Sequence, residues 1–196
     1  IYKDGTRMVA VLTDYKGNPI ANATVYFTIN GVTYAKITDA NGTASMGLNL
    51  LSNIYEATVS YNGSDMYDGV SKNITVTINP TILSEDISLM YMDGTSFVAK
   101  FLDKSGKALV NTKITFNING VFYDKVTDAD GMAKLGIRLR PDVYILTAYN
   151  PVTGEEKGFN INVKSLIESH DLTKYYLNES RYEVTLYNKD GSLAVN

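Results

Sequence analysis

The chain writes one nineteen-residue phrase twice, INGVTYAKITDANGTASMG from Ile29 and INGVFYDKVTDADGMAKLG from Ile118, with twelve positions identical. An internal repeat constrains the fold before composition does, because each copy must build the same structural unit. The spacing of 89 residues is far longer than a solenoid turn, so the unit is a whole small domain. The same offset lays DYKGNPIANATVYFTIN (14–30) on DKSGKALVNTKITFNIN (103–119). A further copy opens near the C terminus, where DLTKYYLNESRYEVTLYNKDGSLAVN (171–196) matches DISLMYMDGTSFVAKFLDKSGKALVN (86–111). The expected division is residues 1–79 as a first repeat lacking its opening strand, 80–164 as a complete repeat, and 165–196 as the first strands of a third. Both ends read as cuts through the repeat pattern.

Within the complete repeat the apolar residues alternate: Phe97, Ala99 and Phe101 share one face, with Val98 and Lys100 between them. Val25, Phe27, Ile29 and Ile114, Phe116, Ile118 repeat the pattern, and Tyr182, Val184, Leu186 keep the parity in the third copy. Period two with a polar outer face predicts half-buried antiparallel strands. Turn signals (DG at 93–94, KSGK at 104–107, NG at 119–120, DADG at 128–131, RPD at 140–142) divide the complete repeat into strands near 86–92, 95–102, 112–118, 121–127, 133–139, 143–149 and 158–164. No segment carries a helical period. The prediction is all-β: tandem immunoglobulin-like sandwiches of about seven antiparallel strands each. The segments between repeats, 79–85 and 164–170, read as stiff, partly packed joints, since flexible spacers favour Gly and Ser.

The most polar part of each copy is TDANG (38–42) or TDADG (127–131). An EF-hand loop needs oxygen ligands at positions 1, 3 and 5, Gly at 6 and Glu at 12; counted from Asp128, those last three places hold Met132, Ala133 and Leu139. Turn chemistry explains the box better. The leading Asp accepts from backbone two residues on, and Gly42 or Gly131 supplies positive φ, which predicts a hairpin turn. No metal or cofactor is expected. The NG pairs at 30–31 and 119–120 predict type I′ hairpins.

Catalytic signals are equally thin. The one histidine, His170, lies in a joint without companions for a triad or a metal site. Glu155 with Glu156, and Asp65 with Asp68, read as solvated loop charges. A net charge of −3 without a basic stripe argues against nucleic acid, and no apolar run is long enough to span a bilayer. The absence of cysteine removes disulfides and thiolate chemistry. Of the fifteen tyrosines, Tyr55 and Tyr144 are matched at a place where a sandwich ties a strand through a Tyr hydroxyl, and Tyr34 and Tyr123 are matched likewise. Met66, Tyr67 and Asp68, in the loop NGSDMYDGVSK that the second repeat shortens, are the expected partner contacts. Five N-x-Ser/Thr sequons, at Asn22, Asn41, Asn62, Asn73 and Asn178, would accept glycans on an extracellular surface.

The run D-x-x-G-x-P-I-x-N-A-T-V-x-F-x-I-N-G-V from Asp14, followed by T-D-A-N-G-T-A, Y-N-G-S-D-x-Y and N-I-T-V-x-I, resembles the bacterial-type Ig-like (Big) repeats of bacterial surface proteins. With D-L-T-K-Y-Y-x-N-x-S-x-Y from Asp171 it is most similar to large adhesin-like proteins of methanogenic archaea. The resemblance implies an extracellular, cell-surface tandem array that serves as stalk or attachment module, without catalysis. Its partners would be neighbouring repeats, copies of itself, or a host or neighbouring cell surface or glycan. The second repeat departs from the pattern where Ala108 replaces the proline. Some surface Ig-like domains carry a Lys–Asn isopeptide bond; the Lys here, Lys174, aligns with Leu89, so the complete repeat lacks it.

Four functions remain open at this point: a stalk holding an adhesive tip outward, direct attachment through residues 62–72, a glycan-binding accessory module of a secreted enzyme, and a subunit of a filament built head to tail by strand donation.

Overall fold

A computed structural model describes residues 1–195; Asn196 lies outside the described residues. The described residues contain sixteen strands and no helix. They form two compact units, one of Ile1–Thr81 with Lys104–Gly106, the other of Ile82–Asp103 with Lys107–Asn196.

The first unit holds β1 (Arg7–Val11), β2 (Thr24–Ile29), β3 (Val32–Ile37), β4 (Thr43–Gly47), β5 (Asn53–Tyr61) and β6 (Val70–Ile78). One sheet runs β3-β2-β5-β6, and β1 pairs with β4 in the other. Alternation works as predicted: in β2 the side chains of Val25, Phe27 and Ile29 are buried and their neighbours are half-exposed. They pack with Met8, Ala44 and Met46 from the facing strands β1 and β4 and with Ala57 of the neighbouring β5.

The second unit holds β7 (Ile82–Leu83), β8 (Ile87–Met90), β9 (Ser96–Phe101), β10 (Lys113–Ile118), β11 (Val121–Val126), β12 (Met132–Gly136), β13 (Asp142–Asn150), β14 (Glu155–Lys164), β15 (Ile167–Ser169) and β16 (Val184–Leu186). Its sheets are β11-β10-β13-β14-β8 and β12-β9-β7, with β15 and β16 as a separate pair. The two larger sheets close over one core. Phe97 of β9 meets Phe116 of β10 edge-on at 5.6 Å between ring centres and Phe159 of β14 at 5.1 Å. Edge-to-face rings of opposite sheets are the contact that makes this a sandwich.

Three features differ from the sequence prediction. The opening strand is split: β7 pairs with β9, then the chain changes sheets and β8 runs parallel to β14, Ile87 opposite Ile161 and Leu89 opposite Val163. The expected all-antiparallel arrangement therefore has one parallel edge. The segment 79–85, expected as a joint, contributes β7, and Ile82 is wholly buried. A two-residue strand leaves too short a pattern for alternation to register. Lastly, the TDANG and TDADG boxes are not hairpins. Each joins strands of opposite sheets, β3 to β4 and β11 to β12.

The NG turns match their prediction. Asn30 and Gly31 have φ of 51° and 74°, Asn119 and Gly120 52° and 74°, the double positive φ of a type I′ turn closing β2 on β3 and β10 on β11.

Candidate functional site

The Asp boxes bring no side chains together for chemistry. Asp39 Oδ1 accepts from the amides of Asn41 and Thr43, both at 2.9 Å, and Asp128 Oδ1 from those of Asp130 (3.0 Å) and Met132 (2.9 Å). Each carboxylate is turned onto its own loop backbone. The threonine before it does more than the sequence suggested. Thr127 is buried; its hydroxyl donates to Leu109 O at 2.5 Å and accepts from Thr112 N at 2.9 Å. Thr38 does the same with Ile20 O (2.7 Å) and Ala23 N (2.9 Å). One hydroxyl thus pins the sheet-crossing turn to the loop that leads into the preceding hairpin, β2–β3 or β10–β11, and the signal for it was the TD pair occurring in both copies. Gly131 completes the crossing: a Cβ there would lie 2.8 Å from Phe101 O.

The matched tyrosines tie strands as expected. Tyr55 donates to Leu51 O at 2.9 Å and Tyr144 to Arg140 O at 3.0 Å. His170 Nε2 lies 3.8 Å from Glu168 Oε1, both well exposed. Glu168 Oε2 accepts from the Tyr187 hydroxyl at 2.6 Å, and that bond raises the phenol's pKa. Glu155 is not the solvated loop charge expected: it opens β14 opposite Asn150 and is 2% exposed. Asn150 is buried beside it, donating to Leu102 O at 2.8 Å. Among the described residues, no group of three or more His, Cys, Asp or Glu could hold a metal ion, and no helix is long and apolar enough to cross a membrane.

Of the expected contact loop, Met66 is 81% exposed and Asp68 exposed, whereas Tyr67 is half-buried. The loop is a compact turn, with Ser64 N donating to Tyr67 O at 2.8 Å and Met66 N to Ser64 Oγ at 3.3 Å. Asn22, Asn41, Asn62 and Asn73 are exposed and Asn178 half-exposed.

An apolar opening lies at the edge of the first unit, where the sequence reading named no site residue. A cleft of about 370 Å³ runs between β1 and β6, lined by Val9, Ala10, Val11 and Leu12 on one side and Val70, Lys72 and Ile74 on the other. The equivalent edge of the second unit is filled by its own residues 82–90. There Ile82 is fully buried, Lys157 Nζ donates to Ile82 O at 3.4 Å, and Ser84 Oγ to Val98 O at 2.6 Å. Asp86 then clamps β8 onto β14 by accepting from the side-chain amide and backbone N–H of Asn160, both at 2.8 Å. These two bonds lower the Asp86 pKa.

No known family's sequence profile matches the chain. Among solved structures, a 1.5-MDa bacterial ice-binding adhesin is similar at 18% identity, over 81% of this chain and 56% of that one, with a TM-score of 0.31. Invasin, a bacterial integrin-binding protein, is 16% identical over 97% of this chain and 44% of its own, TM-score 0.33. SGBP-B of a Bacteroides ovatus mixed-linkage glucan utilization locus is 13% identical over 98% and 60%, TM-score 0.32. The chain spans about half the length of these structures. The sandwich assignment itself rests on the strand registers of the two units and the ring packing of the second.

Proposed function

We propose that this chain is a non-catalytic run of tandem Ig-like domains in an adhesin-like, extracellular cell-surface protein, where it serves as a spacer. The observation that carries this reading is that what recurs is the core and its registers, not a site. Val11 pairs with Thr43 as Lys100 pairs with Met132, and Ile82 pairs with Phe101 as Ile167 pairs with Leu186. An array in which each unit restates the fold adds length with every copy. The division into a first repeat to residue 79, a second to 164 and the start of a third is part of this proposal, as is the methanogen-type archaeal source that the sequence motifs suggest. Exposed sequons, and carboxylates spent on turn backbone, fit an outer-surface spacer better than an enzyme.

Antibody raised against the chain should label intact cells of the source organism, and deleting one repeat from the parent protein should shorten its projection by one domain length. Labelling only after permeabilisation would overturn the surface reading. Attachment through the loop 62–72 is the second reading, favoured by the exposure of Met66. The double variant Met66→Ala/Tyr67→Ala should then lose binding to the target cell or glycan array; unchanged binding would leave the spacer role alone.

A further inference from the structure

The second unit departs from the first on the outer face of its larger sheet. Alternation turns Thr115 and Asn117 of β10 outward, because Ile114, Phe116 and Ile118 are buried. The registers place Phe122 of β11 and Thr147 of β13 on either side of Asn117, Tyr149 beside Thr115, and Glu156 of β14 beside Tyr149. These side chains line an open trough of about 440 Å³.

In the first unit the matching face is closed by its own hydrogen bonds. Thr28 and Thr33, at the places of Asn117 and Phe122, join hydroxyls at 2.9 Å, and Thr58 donates to Asn73 Oδ1 at 2.8 Å across β5 and β6. The second unit breaks both pairs. Phe122 replaces one threonine, and Gly158 stands opposite Thr147 where Asn73 stands opposite Thr58. Tyr149 and Glu156, facing each other, take the places of Ser60 and Ser71. Among the described residues, the Asn117 amide, the Thr147 hydroxyl and the Glu156 carboxylate are left without a hydrogen-bond or ion-pair partner. Phe122 is 73% exposed and Tyr149 39%, so neither ring fills the core. The core sets what both copies share; a concerted change on an exposed face answers to something outside the sandwich.

The lining decides what fits. Two aromatic rings offer faces to apolar surface. A wholly apolar partner would strip water from the unpaired polar groups between those rings and give no bonds in return. An anion is disfavoured by Glu156 and by Asp124 at the rim, and Lys113 on the same face is held by Asp124 at 2.7 Å. A neutral pyranose chain meets both demands, since each ring presents C–H bonds on its faces and hydroxyls around its edge. With β10 between them, Phe122 and Tyr149 rise about 12 Å apart, two strand spacings across and two residues along, a span of about two to three linked sugar rings.

We infer that the trough binds a neutral oligosaccharide. Sugar rings stack on Phe122 and Tyr149, the Asn117 amide and the Thr147 hydroxyl bond to sugar hydroxyls in the gap that Gly158 leaves, and Glu156 accepts from others. The site belongs to the second unit and is independent of residues 62–72.

Cellohexaose, maltohexaose, mannohexaose and xylohexaose differ in sugar and linkage and are the probes, each titrated into the isotope-labelled full chain by NMR. At least one should bind with a Kd of about 0.1–1 mM, as expected of a shallow site with two aromatic anchors. It should shift the amides of Asn117, Phe122, Thr147 and Glu156 while those of Thr28, Thr33, Thr58 and Ser71, the same places in the first unit, stay fixed. Hexagalacturonate, similar in size but anionic, should not bind. Phe122→Thr should weaken binding by about tenfold or more. Gly158→Asn should act in the same direction by filling the gap and giving Thr147 an amide partner. Both substitutions install what the first unit already carries on this face, so the fold is kept, and unchanged amide shifts in the core check it. No binding of any of the four neutral probes overturns the proposal. So does binding that shifts other residues instead, or that survives both substitutions undiminished. Hexagalacturonate binding as tightly as every neutral probe overturns a neutral sugar as the ligand.

Discussion

Ile82→Ala tests whether residues 79–85 are part of the sandwich or a tether. The side chain of Ile82 is wholly buried in β7, paired to Phe101 across the ladder and included in the core with Phe97, Phe101 and Phe159. Truncation removes three carbons, worth about 2.4 kcal/mol at about 0.8 per buried methylene. The cavity left behind adds to this, but β7 has two residues at a sheet edge and can settle inward, which places the cost at about 2–3 kcal/mol within the range for such changes. For a domain of this size that lowers the midpoint by about 10–20 °C. Ile167→Ala, at the matched but exposed position, should cost under about 0.5 kcal/mol. Because the chain has two units, one overall transition is not a safe readout; hydrogen exchange followed on peptides from β9 and β14 reports the second unit alone. Equal protection of β9 and β14 in the two variants would refute the burial argument and return 79–85 to the status of a joint.

The two glycines Gly131 and Gly120 have nearly equal φ, 76° and 74°, yet only Gly131 has backbone oxygen where a Cβ would go. Gly120→Ala should cost about 1 kcal/mol and Gly131→Ala at least about 2 kcal/mol more, by chemical denaturation. Thr127→Val keeps the shape but removes the hydroxyl that bonds Leu109 O and Thr112 N; it should cost about 1–3 kcal/mol, read as faster exchange at Thr112. The Asp86 pKa is depressed by its two bonds from Asn160, so its stabilising effect is present above the unfolded value of about 3.9 and lost as pH falls through the folded one. Exchange of β8 amides should therefore rise below about pH 4 before that of β10 and β13, and Asp86→Asn should flatten the dependence.

Alternation and turn chemistry made most of the sandwich legible in the sequence, because strands such as β2, β9 and β10 bury every second residue and the NG turns have one favoured geometry. The signal fails where an element is too short or a partner too distant. β7 has two residues, so no period can mark it, and its role depends on Phe101 nineteen positions on. The Asp boxes misled for a related reason. Turn propensity fixes the local bend of TDADG but not whether the strands it joins belong to one sheet; that is decided by the Thr127 hydroxyl reaching Leu109 and by the close approach of Gly131 to Phe101. Glu155 read as a loop charge because the chain of the second repeat turns sooner than that of the first, and burial followed from its position opposite Asn150 at the start of β14.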